Sequence, residues 1–282
     1  MSDNPLAPTP SNTYSFSRVK CFQQCPLRYR FRYIEGRKEA FRSIESFLGS
    51  TVHDVLEWLY AQRDGGAEPG ETEVLEEFSR RWTEGRDHSV AVIRVRDDDG
   101  EYHRLGREML SRFFSETFSR DLSRTISLEQ RLSKRLSDDV VFTGFADRVG
   151  RTDKGRLFVI DYKTSKSEGD GSEFSEGLQA PLYAACVLDH HADDEALAGY
   201  HYLRHGTTRW QQVDRERARQ LVDRFLDLIG EVEAAGDFPA RPGVLCAWCG
   251  LNAICPSAQV PDALSGGLHR AEEMGRGLFQ QE

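Results

Sequence analysis

Asp161 and Lys163 close an apolar run, Val159-Ile160-Asp161-Tyr162-Lys163. On a strand, residues two apart point to the same face, so a carboxylate and an amine would stand side by side. Lys163 is the only one of the six lysines with Asp or Glu two positions before it. A buried strand that ends this way must pair the two groups, hold a cation or open onto a cleft, because an unpaired buried charge is costly. Taken alone, the pair reads more simply as a structural salt bridge.

Asp147 changes that reading. It ends Gly144-Phe145-Ala146-Asp147 on the preceding strand, and Thr152-Asp153-Lys154-Gly155 is a turn signal between the two. A three-residue loop, Asp153 to Gly155, would set Thr152 opposite Arg156 and Asp147 opposite Asp161. Directly opposed residues have Cβ atoms about 4.5–5.5 Å apart. Two carboxylates that close repel, and a divalent cation relieves the repulsion. A two- or four-residue loop would send them to opposite faces. The cation reading therefore expects the odd register, or a bulge that restores it. Oxygen ligands favour Mg2+ or Mn2+. Such an ion binds a phosphate oxygen and acidifies a bound water, and Lys163 would position that water or offset charge on the phosphate. The chemistry is phosphodiester hydrolysis. His53, in Gly49-Ser50-Thr51-Val52-His53, lies on a helix side that Leu48, Val52 and Leu56 leave partly open. A lone helical histidine is more often a surface or core residue than a ligand.

A second constellation lies at the chain's two ends. Cys25 is near the start; Cys246, Cys249 and Cys255 form C-x2-C-x5-C near the end. Four thiolates suit zinc or an iron–sulfur cluster equally. Cys21 rivals Cys25 as the N-terminal ligand; otherwise Cys21 and Cys186 read as buried thiols. A link closing more than 200 residues would remove roughly 5 kcal/mol of unfolded-chain entropy.

The 282 residues are 39% apolar and 10% aromatic, enough for a real core, and the net charge is −9. Nothing in the first ten residues resembles a secretory leader and no apolar run approaches a membrane span, so a cytoplasmic location without membrane association is expected. Clustered thiols there suggest metal binding rather than disulfides. Charge is uneven: Arg18, Lys20, Arg28, Arg30, Arg32, Arg37, Lys38 and Arg42 face only Glu35 and Glu39 between 18 and 42. That segment reads as a phosphate-binding patch or as a solvated helix face.

The elements that must position these groups follow from periodicity. Helices are predicted over Ser15–Tyr33, Glu45–Gln62, Glu71–Trp82, Leu105–Phe118, Leu178–Leu188 and Arg215–Ala235. Strands are predicted over Ile126–Leu136, Val140–Gly150, Arg156–Lys163, Gly199–Arg204 and Thr208–Val213. Residues 1–13 read as disordered, 165–177 as a polar loop and 257–282 as a flexible tail. One α/β domain over 14–256 is the economical reading.

In order, these motifs resemble the iron–sulfur members of the RecB-like branch of the PD-(D/E)xK nucleases: the AddB nuclease domain, CRISPR-associated RecB-type exonucleases and eukaryotic exonuclease V. Ser17 to Tyr33 (S-x4-F-x2-CP-x2-Y-x3-Y) is similar to the N-terminal cysteine motif, and Gly49 to His53 to the G-x3-H motif. Gly144 to Asp147 and Asp161 to Lys163 resemble the acidic and D-x-K core, and Gln179-Ala180-Pro181-Leu182-Tyr183 the Q-x3-Y motif. The resemblance implies a restriction-endonuclease-like core, a central mixed sheet flanked by helices, with helical insertions. It implies Mg2+ or Mn2+ held by His53, Asp147, Asp161 and the Tyr162 carbonyl, with Lys163 aiding catalysis and Gln179 and Tyr183 near the strand. Glu129 matches an acidic residue seen upstream in some members. It further implies a [4Fe–4S] cluster on Cys25, Cys246, Cys249 and Cys255, acting as a clasp. The expected activity is a DNA exonuclease on single-stranded ends in repair or recombination. A prespacer-trimming nuclease of CRISPR adaptation, or an idle DNA-binding subunit with a helicase partner, are the alternatives.

Overall fold

A computed structural model describes residues 12–94, 96–168, 177–261, 264 and 265. The predicted loop at 165–177, the N-terminal stretch 1–13 and the tail 257–282 fall partly outside the described residues. Of the N-terminal stretch, Thr13 is described. With Tyr14 it forms strand β1 (Thr13–Tyr14), parallel to Val141 and Phe142.

The single helix predicted over 15–33 breaks in two. Ser15 caps α1 (Phe16–Gln24) by accepting the Arg18 N–H. Cys25 is then extended (φ −159°, ψ 105°) and Pro26 opens α2 (Pro26–Tyr29). The residue before a proline is driven from the helical region, so the Cys-Pro pair turns the chain and leaves Cys25 at the corner. Residues Arg30–Ile34 continue as a π-helical turn. Half of the basic segment's cations pair with Glu35 or Glu39. Arg28 lies 2.8 Å from Glu39, Arg30 2.7 Å and Arg37 3.2 Å from Glu35.

β2 (Arg42–Ser43) and β3 (Val90–Ala91) form a small parallel pair. Three long helices lie between and after them: α3 (Ile44–Asp64), α4 (Glu71–Gly85) and α5 (Asp99–Glu116). The last begins six residues before its predicted start. The acidic run Asp97-Asp98-Asp99-Gly100 contains its cap, because Asp98 accepts the Glu101 N–H.

β4 (Arg124–Arg135), β5 (Val141–Arg151), β6 (Leu157–Lys163), β7 (Glu195–Tyr202) and β8 (Thr207–Asp214) join β1 in a six-stranded mixed sheet, ordered β1-β5-β6-β7-β8 with β4 also beside β5. β6 and β7 are parallel, joined through α6 (Gln179–Leu188); the β4–β5, β5–β6 and β7–β8 pairs are antiparallel. One face packs on α6 and α7 (Arg215–Glu233) through Phe142, Tyr183 and Phe225, and the other on α3–α5 through Leu48, Phe78, Phe113 and Tyr162. The α/β mixed sheet flanked by helices is thus as expected. No helix of the described residues is long and apolar enough to cross a membrane.

Candidate active site

The turn at 152–155 sets the site. Thr152 donates its N–H to the Arg156 carbonyl and accepts the Gly155 N–H, each 2.9 Å, so the loop has three residues. Gly155 supplies the positive φ (+79°) that the loop needs. The ladder then runs through Arg151↔Leu157 to Arg148↔Ile160, which brings Asp147 level with Asp161. There the strands part. Asp147 Oδ2 accepts the Tyr162 N–H at 2.7 Å, and a carboxylate stands where a ladder carbonyl would be.

The sheet's alternation inverts at this point. Phe142 and Ala146 lie in the α6 core, and a Cβ on Gly144 would come within 2.5 Å of the Tyr183 ring. Arg148, two residues past Ala146, stacks instead on Tyr60 of α3, 3.7 Å from its ring. On β4 the pairing shifts by one residue between Thr125 and Ser127 and then holds through Leu128↔Arg148 and Gln130↔Ala146. Glu129 falls between those pairs, level with Asp147, with φ +43°. A positive φ at a non-glycine is strained backbone of the kind that collects at functional sites. Three carboxylates from three adjacent strands, Glu129, Asp147 and Asp161, therefore share one level of the sheet. Arg148 anchors the inversion: it is 3% exposed and donates to Thr125, Asp121 and Ser123 at 2.8–3.0 Å.

His53 completes the group from α3. Its Nδ1 lies 3.4 Å from Asp147 Oδ2, and its Nε2 2.8 Å from the Tyr162 carbonyl. Gly49, one turn earlier, lets α3 approach: a Cβ there would sit 3.2 Å from Thr164 Oγ1. One donor atom each of His53, Glu129 and Asp147 lie within 4.8 Å of one another, the only such trio of metal-ligating side chains among the described residues. The electrostatics reflect that crowding. Burial works against a charged His53, but Asp147, with Asp161 and Glu129, raises its pKa to about 9. Burial and the Asp147 charge raise Glu129 to about 7. Burial also pushes Asp161 up, against the opposing pull of Lys163. These are the marks of acids that would rather share a cation than face one another.

Lys163 lies 2.7 Å from Asp161 Oδ2 and donates to Gln179 Oε1 at 3.0 Å; Gln179 Nε2 donates in turn to Tyr183 OH at 3.3 Å. Gln179 lines the cleft, whereas Tyr183 is buried and reaches it only through Gln179. The cleft is about 890 Å3 and also exposes Arg94, Lys166 and Arg204, with Leu245 and Trp248 from the cysteine segment. The sequence motifs thus converge, and Glu129, matched there only loosely, belongs among them. Leu245 and Trp248 were missed, since no periodicity ties that turn to the sheet.

The four cysteines line a different cavity of about 260 Å3. Cys25 comes from the α1–α2 corner, and the others from short turns, Val244–Trp248 and Asn252–Ile254, and the residues after them. Ala40 donates its N–H to the Gly250 carbonyl, tying the C-terminal segment to the N-terminal one. Cys21 and Cys186 are buried elsewhere and do not line this cavity.

A model of the PD-(D/E)XK nuclease superfamily matches residues 13–256 of the chain. Among solved structures, the crystal structure of SSO0001 is similar, at 14% identity over 89% of each chain and a TM-score of 0.40.

Proposed function

The chain belongs to the PD-(D/E)XK nuclease superfamily, and from that premise we propose that it is a Mg2+- or Mn2+-dependent deoxyribonuclease of the iron–sulfur RecB-like branch, acting as an exonuclease on single-stranded ends. The observation that carries the reading is the gathering of His53, Asp147 and Asp161 beside Lys163 in one cleft, with a Glu129 oxygen within 4.8 Å of the His53 and Asp147 donors.

The donor set fits a hard divalent cation. Carboxylates, the Tyr162 carbonyl and one imidazole suit Mg2+ or Mn2+, and the raised pKa values of Glu129 and Asp161 mark negative charge in want of a counter-ion. Asp147, Asp161, His53 and the Tyr162 carbonyl would hold the ion, with Glu129 at its edge. When bound, the ion supplies Lewis acidity to the scissile phosphate and a more acidic water. Lys163, steadied by Gln179, orients the attacking water and offsets charge growing on the phosphate oxygens. Tyr183 holds Gln179, and so acts on Lys163 at one remove.

Four cysteines lining one cavity suit zinc or an iron–sulfur cluster, and the resemblance of the Cys25-Pro26 and C-x2-C-x5-C motifs to the iron–sulfur members favours the cluster. We assign it a structural role, clasping the ends of the chain.

Degradation of end-labelled single strands, blocked at one end or the other, tests the reading with Mg2+ and with Mn2+. Shortening from one free end is expected. Cleavage that ignores both blocks would make it an endonuclease, and no cleavage with either ion would favour an idle DNA-binding subunit.

A further inference from the structure

The turn between Gly243 and Cys249 belongs to two cavities at once. Leu245 lines both the cysteine cavity and the catalytic cleft, and Trp248, between Cys246 and Cys249, lines the cleft. Large apolar side chains there are also unusually bare. Two of the eight exposed among the described residues lie in this turn, Val244 at 68% and Leu245 at 56%, and a third, Ile254 at 52%, lies in the next. A turn whose only task was to carry thiolates would have no use for Leu245 and Trp248 in the wall of a polar cleft. The same cleft presents Arg94, Lys166 and Arg204, on the loops after β3, β6 and β7. Cations that track a backbone, joined to aromatic and apolar faces that meet bases, are how proteins grip single strands. A paired duplex hides its base faces and could not use Trp248.

We propose that Leu245 and Trp248 form a base-contacting wall of the substrate channel, receiving the unpaired base beside the scissile phosphate. This inference rests on the nuclease reading for the identity of the strand. The cysteines then do more than close the chain. They hold the turn on which the strand's register at Asp147, Asp161 and Lys163 depends. Leu245 and Trp248 are positioning residues: they touch the base and never the reacting phosphate.

Trp248 also packs against the small core around Phe41 and Ile93, so Leu245→Ser, at an exposed position, is the safer variant and Trp248→Phe its conservative companion. Single-stranded oligonucleotides carrying a fluorescent purine analogue, or an abasic site, at successive positions are bound with Ca2+ in place of Mg2+, so that binding is read apart from cleavage. The wild type is expected to quench the analogue at one position and to bind the strand abasic there about tenfold more weakly. Leu245→Ser and Trp248→Ala should lose that discrimination, and Trp248→Phe should keep it. In cleavage with Mg2+, Leu245→Ser should raise KM about tenfold with kcat changed less than about threefold. Folded variants that discriminate as the wild type does would overturn the proposal, as would a wild type indifferent to the base at every position. A chain that cut nothing yet showed base-dependent quenching lost in Leu245→Ser would refute the nuclease reading and leave this wall standing.

Discussion

The carboxylate site and the cysteine cavity are built in opposite ways. Glu129, Asp147 and Asp161 sit on three adjacent strands, and their level is set by the β4–β5 ladder, which runs on past it, and by the β5–β6 ladder, which ends one residue before it. Three of the site's donor atoms are already within 4.8 Å before any ion arrives. The cysteines come from a helix corner and two short turns, at opposite ends of the chain. They line one cavity without closing to that spacing. A site held by a sheet needs its ion for chemistry. On the proposed reading, a site made of turns needs its cluster for shape. Losing a ligand should therefore cost rate in the first region and stability in the second.

The largest expected effect is on rate. Asp161→Asn should lower Mg2+-dependent cleavage about a thousandfold with little change in Tm, because Asp161 is buried among like charges and contributes strain as well as pairing. Turnover assays beside thermal melts check this, and a collapse in Tm would blur the contrast. Next, with the proposed cluster on the cysteines, Cys249→Ser should bleach its absorbance and cost about 2–5 kcal/mol of stability, by analogy with the loss of a covalent staple. Denaturant melts with iron analysis measure it; an unchanged midpoint would remove the structural role. Glu129→Gln should weaken Mg2+ binding about tenfold, read by calorimetry, while leaving the cysteine region untouched.

The smallest effect separates the regions by pH. His53 has a pKa raised from 6.5 to about 9, so its stabilising proton is fully bound below 6.5 and lost as pH rises through 9. Glu129 is raised from 4.5 to about 7, so its contribution is present below 4.5 and lost as pH rises through 7. The metal-free protein should accordingly lose stability between about pH 4.5 and 9. A bound cation displaces both protons, so the Tm gain from Mg2+ should be small at pH 5 and grow through 7 and 9. A gain independent of pH would mean that the ion binds elsewhere.

Much of the catalytic site could be read from the chain because its geometry is local. A three-residue turn is enough to place Asp147 level with Asp161, and helical spacing is enough to aim His53. Glu129 resisted such reading. Its level depends on the shift between Thr125 and Ser127 and on one residue of positive φ, neither of which has a compositional signal. Arg148 was hidden for another reason. Its partner Asp121 is 27 residues away, and only tertiary packing shows that the pair is buried. The start of α5 was missed because its first turn, Asp99 to Tyr102, carries no apolar period, and only the Asp98 cap marks it. The break at Cys25-Pro26 follows from proline chemistry and went unused in predicting one helix over 15–33.

The central claim is that Lys163 serves the chemistry of a metal site it does not help to build. The direct test compares wild type and Lys163→Ala for two readouts, the Mg2+-induced gain in Tm and the cleavage of an end-labelled single strand. The account predicts that Lys163→Ala keeps the Tm gain and loses the cleavage. Cleavage at the wild-type rate by Lys163→Ala, or a wild type inert with both Mg2+ and Mn2+, would contradict it.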